Sequence, residues 1–230
     1  MPLNPRVPIG TDVHNAICRL CERDVILVPT EYEYVLACNA LDEESVAKLS
    51  SLQKKMSGSQ IEILVPSLEK LRGCVREMPA TLEKLACHFP SGRLTFLLPK
   101  RYAIPESLTV VAGKIAVSMT HHPLTLAVLE KLNFPLAVVR FTSHQTMGEG
   151  SGDYLDLLAD GIGYVLDGGA TVVGPGSTWL EMSGDSILVH RTGSVSREEI
   201  EKVGGLPTLM HLSPLTPART AVTVSVTKTP

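Results

Sequence analysis

No run of about 18 apolar residues, the minimum for a membrane-crossing helix, occurs anywhere in this chain. The amino-terminal stretch MPLNPRVPIGT also lacks an apolar core, so neither a signal peptide nor a membrane span is expected. Cysteine is sparse: there are five, Cys18, Cys21, Cys38, Cys74 and Cys87, without the dense even spacing of a disulfide-stapled secreted domain. A reducing, cytoplasmic compartment is the expectation. Surplus charge is missing too. With 21 Lys and Arg against 24 Asp and Glu the formal net charge is -3, which gives no global attraction to nucleic acid. Any RNA contact would need a local basic patch. The concentrations at Lys54 and Lys55, at Arg93, and at Lys100 and Arg101 read more simply as solvated surface.

Metal ligands in a recognisable pattern are lacking as well. Cys18 and Cys21 have zinc-like spacing, but they lie within a helical pattern, and no second Cys pair or Cys/His pair stands at finger spacing. They read as core cysteines. Adjacent His121 and His122 would point apart.

What the chain does have is a core. Its 230 residues, 44% of them apolar, suffice for one large domain that buries about 70% of the unfolded surface. Val13, Ala16, Ile17 and Leu20 recur at helical spacing with Thr11 as N-cap, and the β-branched run Val25 to Val28 follows. Asp42 caps a second helix bearing Val46, Leu49 and Leu52, before a strand at Ile61 to Val65. Helical stretches near Leu82 to Ala86 and Leu124 to Leu132 alternate with strands near Leu94 to Leu98, Ile115 to Met119 and Leu136 to Val139. One more helix is expected past Asp153. Short strands then follow at Tyr164 to Leu166, Thr171 to Val173, Thr178 to Met182 and Ile187 to Val189, and Ser196 with Glu199 forms a capping box for a last helix. The expected fold is α/β, a twisted, mostly parallel sheet with helices on its faces. Residues 1–205 form the domain, and Pro207, Pro214 and Pro217 mark 206–230 as a Pro/Thr-rich tail. Within that tail Val222, Val224 and Val226 alternate like a strand that could join a sheet edge of this chain or of a partner, which leaves a homodimer open.

Pro29-Thr30-Glu31 follows a buried strand, where an α/β fold opens its ligand crevice. Alone it reads more simply as a strand-to-loop turn. Its continuation, PTEYEYVLACNALDEESV, resembles the pattern P-T-E-T-x-Y-G-L-x-x-D-A of the YrdC-type threonylcarbamoyl-AMP synthase family, matched at Pro29, Thr30, Glu31, Tyr34, Leu36 and Ala40. Four more landmarks follow in the family's order. Ser91-Gly92-Arg93-Leu94-Thr95 is similar to P-G-P-L-T, and Ile115 to Val117 with His122-Pro123 is similar to V-A-V-R-x-P-x-H-P. Leu166 to Gly169 before Gly174 to Thr178 resembles D-G-G with G-x-x-S-T, and Ile187-Leu188 with Arg191 and Gly193 resembles I-L-R-x-G.

This resemblance implies condensation of threonine, bicarbonate and ATP, with Mg²⁺, to threonylcarbamoyl-AMP and pyrophosphate for tRNA modification. It also brings tRNA or double-stranded RNA into view as partners. Such chemistry asks for cations and N–H groups around phosphates and hydroxyls around threonine. The resemblance places Thr30, Tyr34, Lys54, Lys55, Arg93, Thr95, Arg140, Thr142, Ser177 and Arg191 around the nucleotide and substrate. No catalytic residue is assigned. Several positions depart from the pattern. Gln53 and Lys55 stand at the family's K-x-R, Ser118 at the arginine of V-A-V-R, Arg140-Phe141-Thr142 at S-x-N, and Tyr32 and Val35 beside the first motif. Lys cannot make the bidentate fork that Arg makes to phosphate. Arg93 and Arg140 stand where the family has neutral residues, either restoring cations from new directions or marking drift in an unused pocket. An impaired paralogue that binds a nucleotide or RNA is the alternative reading.

Overall fold

The computed structural model describes residues 7–55, 60–111, 113–140, 161–171 and 174–211. In chain order these form β1 (Ile9–Gly10), α1 (Val13–Cys21), β2 (Ile26–Pro29), β3 (Tyr34–Asn39), α2 (Glu43–Lys55), β4 (Ile61–Val65), α3 (Leu68–Cys74), α4 (Ala80–His88) and β5 (Leu94–Pro99). A 3₁₀ turn (Glu106–Leu108) leads to β6 (Lys114–Met119), α5 (Pro123–Lys131), β7 (Leu136–Arg140), β8 (Tyr164–Leu166), β9 (Thr178–Ser183), β10 (Ser186–Arg191), α6 (Arg197–Gly204) and β11 (Thr208–Met210). The strands make one sheet in the order β1-β8-β2-β3-β7-β4-β6-β5-β9-β10-β11.

The α/β class holds, but "mostly parallel" needs correction, because parallel and antiparallel pairings are equal in number. The sequence pattern does not show the hairpin β2–β3. Its strand Tyr34–Asn39 pairs antiparallel with both β2 and β7 and inserts β7 antiparallel against β4. The sheet also runs past Gly205, since Thr208–Met210 pairs with β10 and Arg197 Nε donates to Thr208 Oγ1 at 2.8 Å. The expected helix past Asp153, the segment at residues 172–173 and the alternating Val222 to Val226 lie outside the described residues.

Local signals are mostly where the pattern put them. Asp42 Oδ1 accepts from the Ser45 N–H at 2.8 Å, and Ser196 with Glu199 forms the full capping box. At α1 the cap is Asp12 instead of Thr11, with Oδ1 accepting from the His14 N–H at 2.8 Å. Cys21 is exposed and Cys18 half-buried, because Ala16 and Leu20 supply that helix's buried side.

Alternation along the strands divides the core between the two faces. On one face Leu27, Leu36, Ile63, Phe96 and Val117 pack against Leu49 of α2, Leu71 of α3, Leu85 of α4 and Ile200 of α6. The opposite face carries two smaller clusters. Val28, Val35, Leu64 and Val138 meet Ala16 and Leu20 of α1 and Val128 of α5, while Leu97, Ala116, Trp179 and Val110 form the second. The strand residues between these two clusters are polar. No helix of the described residues is long and apolar enough to cross a membrane.

Leu36 is fully buried in the larger cluster. Leu36→Ala should therefore cost about 2–5 kcal/mol in urea denaturation. Burial also pushes the Cys38 thiol up to about 12 and Cys74 to about 11, Asp42 adding to the first. Both folded values exceed the ordinary thiol value of 9, so each thiol stays protonated in the native protein and the associated stability is lost as pH rises through and above 9. Iodoacetamide at about pH 8 should label the exposed Cys21 and Cys87 and spare Cys38 and Cys74 until the protein unfolds.

Candidate functional site

The polar strip between the two smaller clusters is the floor of a pocket that opens to solvent. Val35, Val138, Arg140, Glu62, Leu64, Ser118 and Ser177 line the floor and sides. Thr30 to Glu33, from the tip of the β2–β3 hairpin, and Gly92 and Met119 complete it. The hairpin tip closes on itself, since the Thr30 N–H and Oγ1–H both donate to the Glu33 carbonyl, at 2.8 and 2.7 Å. The Thr30 hydroxyl is thus left to a ligand as an acceptor. Glu31 fastens the tip to the end of β6 by accepting from Thr120 Oγ1 at 3.0 Å and from the His121 N–H. Gly92, at φ +84°, is required beneath it, because a Cβ there would lie 2.6 Å from the Glu31 carboxyl carbon.

At the centre of the floor sits Glu62, buried on β4. Its Oε1 accepts from Arg140 Nε at 2.9 Å and its Oε2 from Thr95 Oγ1 at 3.0 Å. Arg140 also pairs through Nη1 with Glu33 Oε1 at 3.0 Å and donates through Nη2 to Ser177 Oγ at 2.8 Å. Arg191 reaches Ser177 from the other side. Its Nη2 donates to the Ser177 carbonyl at 2.8 Å and to Oγ at 3.2 Å, and its guanidinium carbon stands 5.4 Å over the Trp179 ring.

The electrostatics of the two arginines differ. Burial alone would lower Arg140, but Glu62 and Glu33 outweigh it and hold the guanidinium above its ordinary value. Arg191 has no carboxylate within 4 Å among the described residues, and burial together with the charge of Arg140 brings it down to about 10. Glu33 is raised above the usual carboxylate range, chiefly by burial, with Glu62 adding and Arg140 and Arg191 opposing.

The Sua5/YciO/YrdC family model, described as "Telomere recombination", matches residues 20–193. The chain belongs to this family. Threonylcarbamoyl-AMP synthase of Pyrococcus abyssi is 31% identical over 188 residues, 80% of this chain and 54% of that protein. The Bacillus subtilis synthase is 28% identical over 195 residues, 84% of this chain and 56% of the relative. The chain thus spans about half the length of these curated relatives. The crystal structure of P. abyssi Sua5 complexed with L-threonine superposes with a TM-score of 0.76 at 27% identity, covering 88% of this chain and 62% of that one. Escherichia coli YciO shares the fold, with a TM-score of 0.69 at 18% identity over 84% of this chain and 97% of that one.

Within this Sua5/YciO/YrdC scaffold the residues singled out from sequence fall into three groups. Thr30, Arg140 and Ser177 line the pocket, with Thr95 and Arg191 bonded directly to Ser177. Tyr34 faces the other side of the sheet and supports the loop after β8, accepting from the Gly168 N–H at 3.0 Å and donating to the Gly169 carbonyl at 2.8 Å. Arg93 donates to the Ser194 carbonyl and stacks 5.8 Å from the Phe89 ring centroid. Lys54 and Lys55 are exposed in the last turn of α2 and do not line the pocket, and Thr142 lies outside the described residues. Sequence reasoning missed Glu62 and Glu33. The available signal was the lone carboxylate in the apolar strand IEILV, since a Glu is almost never fully buried unless paired.

Gly176 adopts φ +71°, and a Cβ there would be driven into Arg140 Nη1. At Gly193 a Cβ would strike the Gly176 carbonyl and the Ser177 backbone, which no side-chain rotation relieves. Gly193→Ala should therefore cost about 1–3 kcal/mol in chemical denaturation and shift Ser177 away from Arg191 in a crystal structure of the variant.

Proposed function

We propose that this chain is a threonylcarbamoyl-AMP synthase domain, condensing threonine and bicarbonate with ATP to threonylcarbamoyl-AMP and pyrophosphate. The observation that carries the reading is Arg191: a half-buried guanidinium beside Ser177, without a carboxylate within 4 Å among the described residues. Such a group calls for an anion to complete it. A substrate carboxylate meets that need from the pocket, while the raised Glu33 and the acceptor oxygen of Thr30 at the hairpin tip suit an ammonium and a hydroxyl. Threonine carries all three groups. Family membership and the threonine complex of P. abyssi Sua5 support the same assignment.

ATP fits the pocket less readily than threonine. Glu31, Glu33 and Glu62 all line it, and Arg140 is already matched by two of them. ATP would therefore enter as its magnesium complex, with part of its charge cancelled. The cations nominated for its phosphates, Lys54 and Lys55, stand at the exposed end of α2 outside the pocket. The product would serve tRNA modification downstream.

Pyrophosphate release from ATP should depend on both threonine and bicarbonate. Arg191→Ala should lower kcat/KM for threonine about 10- to 150-fold, the loss of one charge-assisted hydrogen-bonding group of about 1.5–3 kcal/mol. Release that is independent of threonine, or absent from the wild type, sinks the synthase reading. Calorimetric binding of threonine without any release would leave a threonine-binding scaffold in its place.

A further inference from the structure

We propose that Glu62 and Thr95 form a positioning relay that fixes the direction of the hydrogen bonds at Ser177 Oγ and so aims Arg140 and Arg191 as a reader of a singly charged carboxylate. The identity of that carboxylate, threonine's, rests on the reading given above. The relay itself follows from the donor and acceptor inventory of four side chains.

An ionised carboxylate only accepts. Thr95 Oγ1, 3.0 Å from Glu62 Oε2, must spend its one hydrogen there. Ser177 Oγ lies 2.7 Å from the same Thr95 oxygen, so the hydrogen between the two hydroxyls belongs to Ser177. Two lone pairs remain on Ser177 Oγ. Two guanidinium N–H groups face them, Arg140 Nη2 at 2.8 Å and Arg191 Nη2 at 3.2 Å, and a guanidinium only donates. The order is forced from end to end: arginines to Ser177, Ser177 to Thr95, Thr95 to Glu62. While it stands, the Ser177 hydroxyl has neither a hydrogen to give a ligand nor a lone pair to attack with. Ser177 is therefore a hub for the arginines and not a nucleophile.

The same geometry sets the charge the pocket can take. Glu62 and Glu33 both pair with Arg140, at 2.9 and 3.0 Å, so its charge is met inside the protein. Arg191 is held by the Ser177 carbonyl and Oγ and by Trp179, none of which carries charge. Over these four side chains the charges sum to zero, two guanidiniums against two carboxylates, so a ligand here meets Arg191 as a guanidinium without a carboxylate of its own within 4 Å among the described residues, and finds no surplus of positive charge for a polyphosphate. Thr95 and Glu62 touch no substrate in this scheme. They act through Ser177 and Arg140, as positioning residues.

Thr95→Val removes the relay hydroxyl at constant shape on a strand where Val is well tolerated, and Thr95→Ser keeps the hydroxyl. Calorimetry with L-threonine should show Kd raised about five- to tenfold in Thr95→Val and within about threefold of wild type in Thr95→Ser, with Thr95→Ser melting like wild type and Thr95→Val somewhat lower, because the deleted hydroxyl leaves Glu62 and Ser177 each short of a partner. A second readout needs no ligand. In ¹H–¹⁵N spectra the Arg191 Nε–H signal should exchange slowly in wild type and Thr95→Ser and broaden in Thr95→Val. Unchanged threonine affinity in Thr95→Val, equal weakening by both variants, or a shared fall in melting temperature overturns the relay. If wild type ignores threonine while the Arg191 signal responds as expected, the threonine reading falls and the relay survives. If threonine binds but the Arg191 signal is the same in all three proteins, only the relay falls.

Discussion

A carboxylate beneath an open pocket has to be answered from several directions at once, and Glu62 is answered from both sides of its strand. Because β4 lies between β7 and β6, one oxygen meets Arg140 and the other reaches across to Thr95 on β5. Removing either member of such a buried pair leaves an uncompensated charge, at a cost of about 3–5 kcal/mol, whereas replacing both with apolar residues is often neutral. The pair is therefore tolerated as a unit. Ser177, Glu33 and Arg191 take their places around it, so the pocket's charge, shape and hydrogen-bond order all descend from one acid on one central strand.

Set beside the family pattern, this arrangement amounts to a cation that has changed strands. The resemblance puts an arginine where β6 carries Ser118, and a serine where β7 carries Arg140. Both positions face the pocket, on the two strands that flank Glu62. At Arg140 the charge is met twice, by Glu62 and by Glu33 from the hairpin tip. A scaffold can keep its outline, as the YciO comparison at 18% identity illustrates for the fold, while the balance of charge in its cleft is redistributed.

How much of this could be read from the chain depended on whether the information was local. Helix caps at Asp42 and Ser196, and the buried runs Ile61 to Val65 and Tyr164 to Leu166, speak through neighbouring residues and were legible. The strand Tyr34–Asn39 was not, because Pro29-Thr30-Glu31 reads as the start of a loop and gives no hint that the chain doubles straight back. That one hairpin accounts for two of the antiparallel pairings that make the sheet mixed. Thr30, Ser177 and Arg191, which the fold brings together, stand out in the sequence only through motif resemblance. Glu62 lies in no motif, and its partners are 33 and 78 residues away, so its role appears only when the strands are assembled.

Those separations bear on how the chain reaches its native state. Glu62 and Arg140 are 78 residues apart and Thr95 and Ser177 are 82, so no contiguous fragment of modest length contains the cluster. Closing such long loops costs entropy before any contact repays it, and folds dominated by distant pairings form slowly. During synthesis β4, β5 and β7 emerge well before Ser177 and β9. The cluster of Glu62, Thr95, Arg140, Ser177 and Arg191 is thus complete only once β10 has been made, and a chain translated as far as β7 lacks two of its five members.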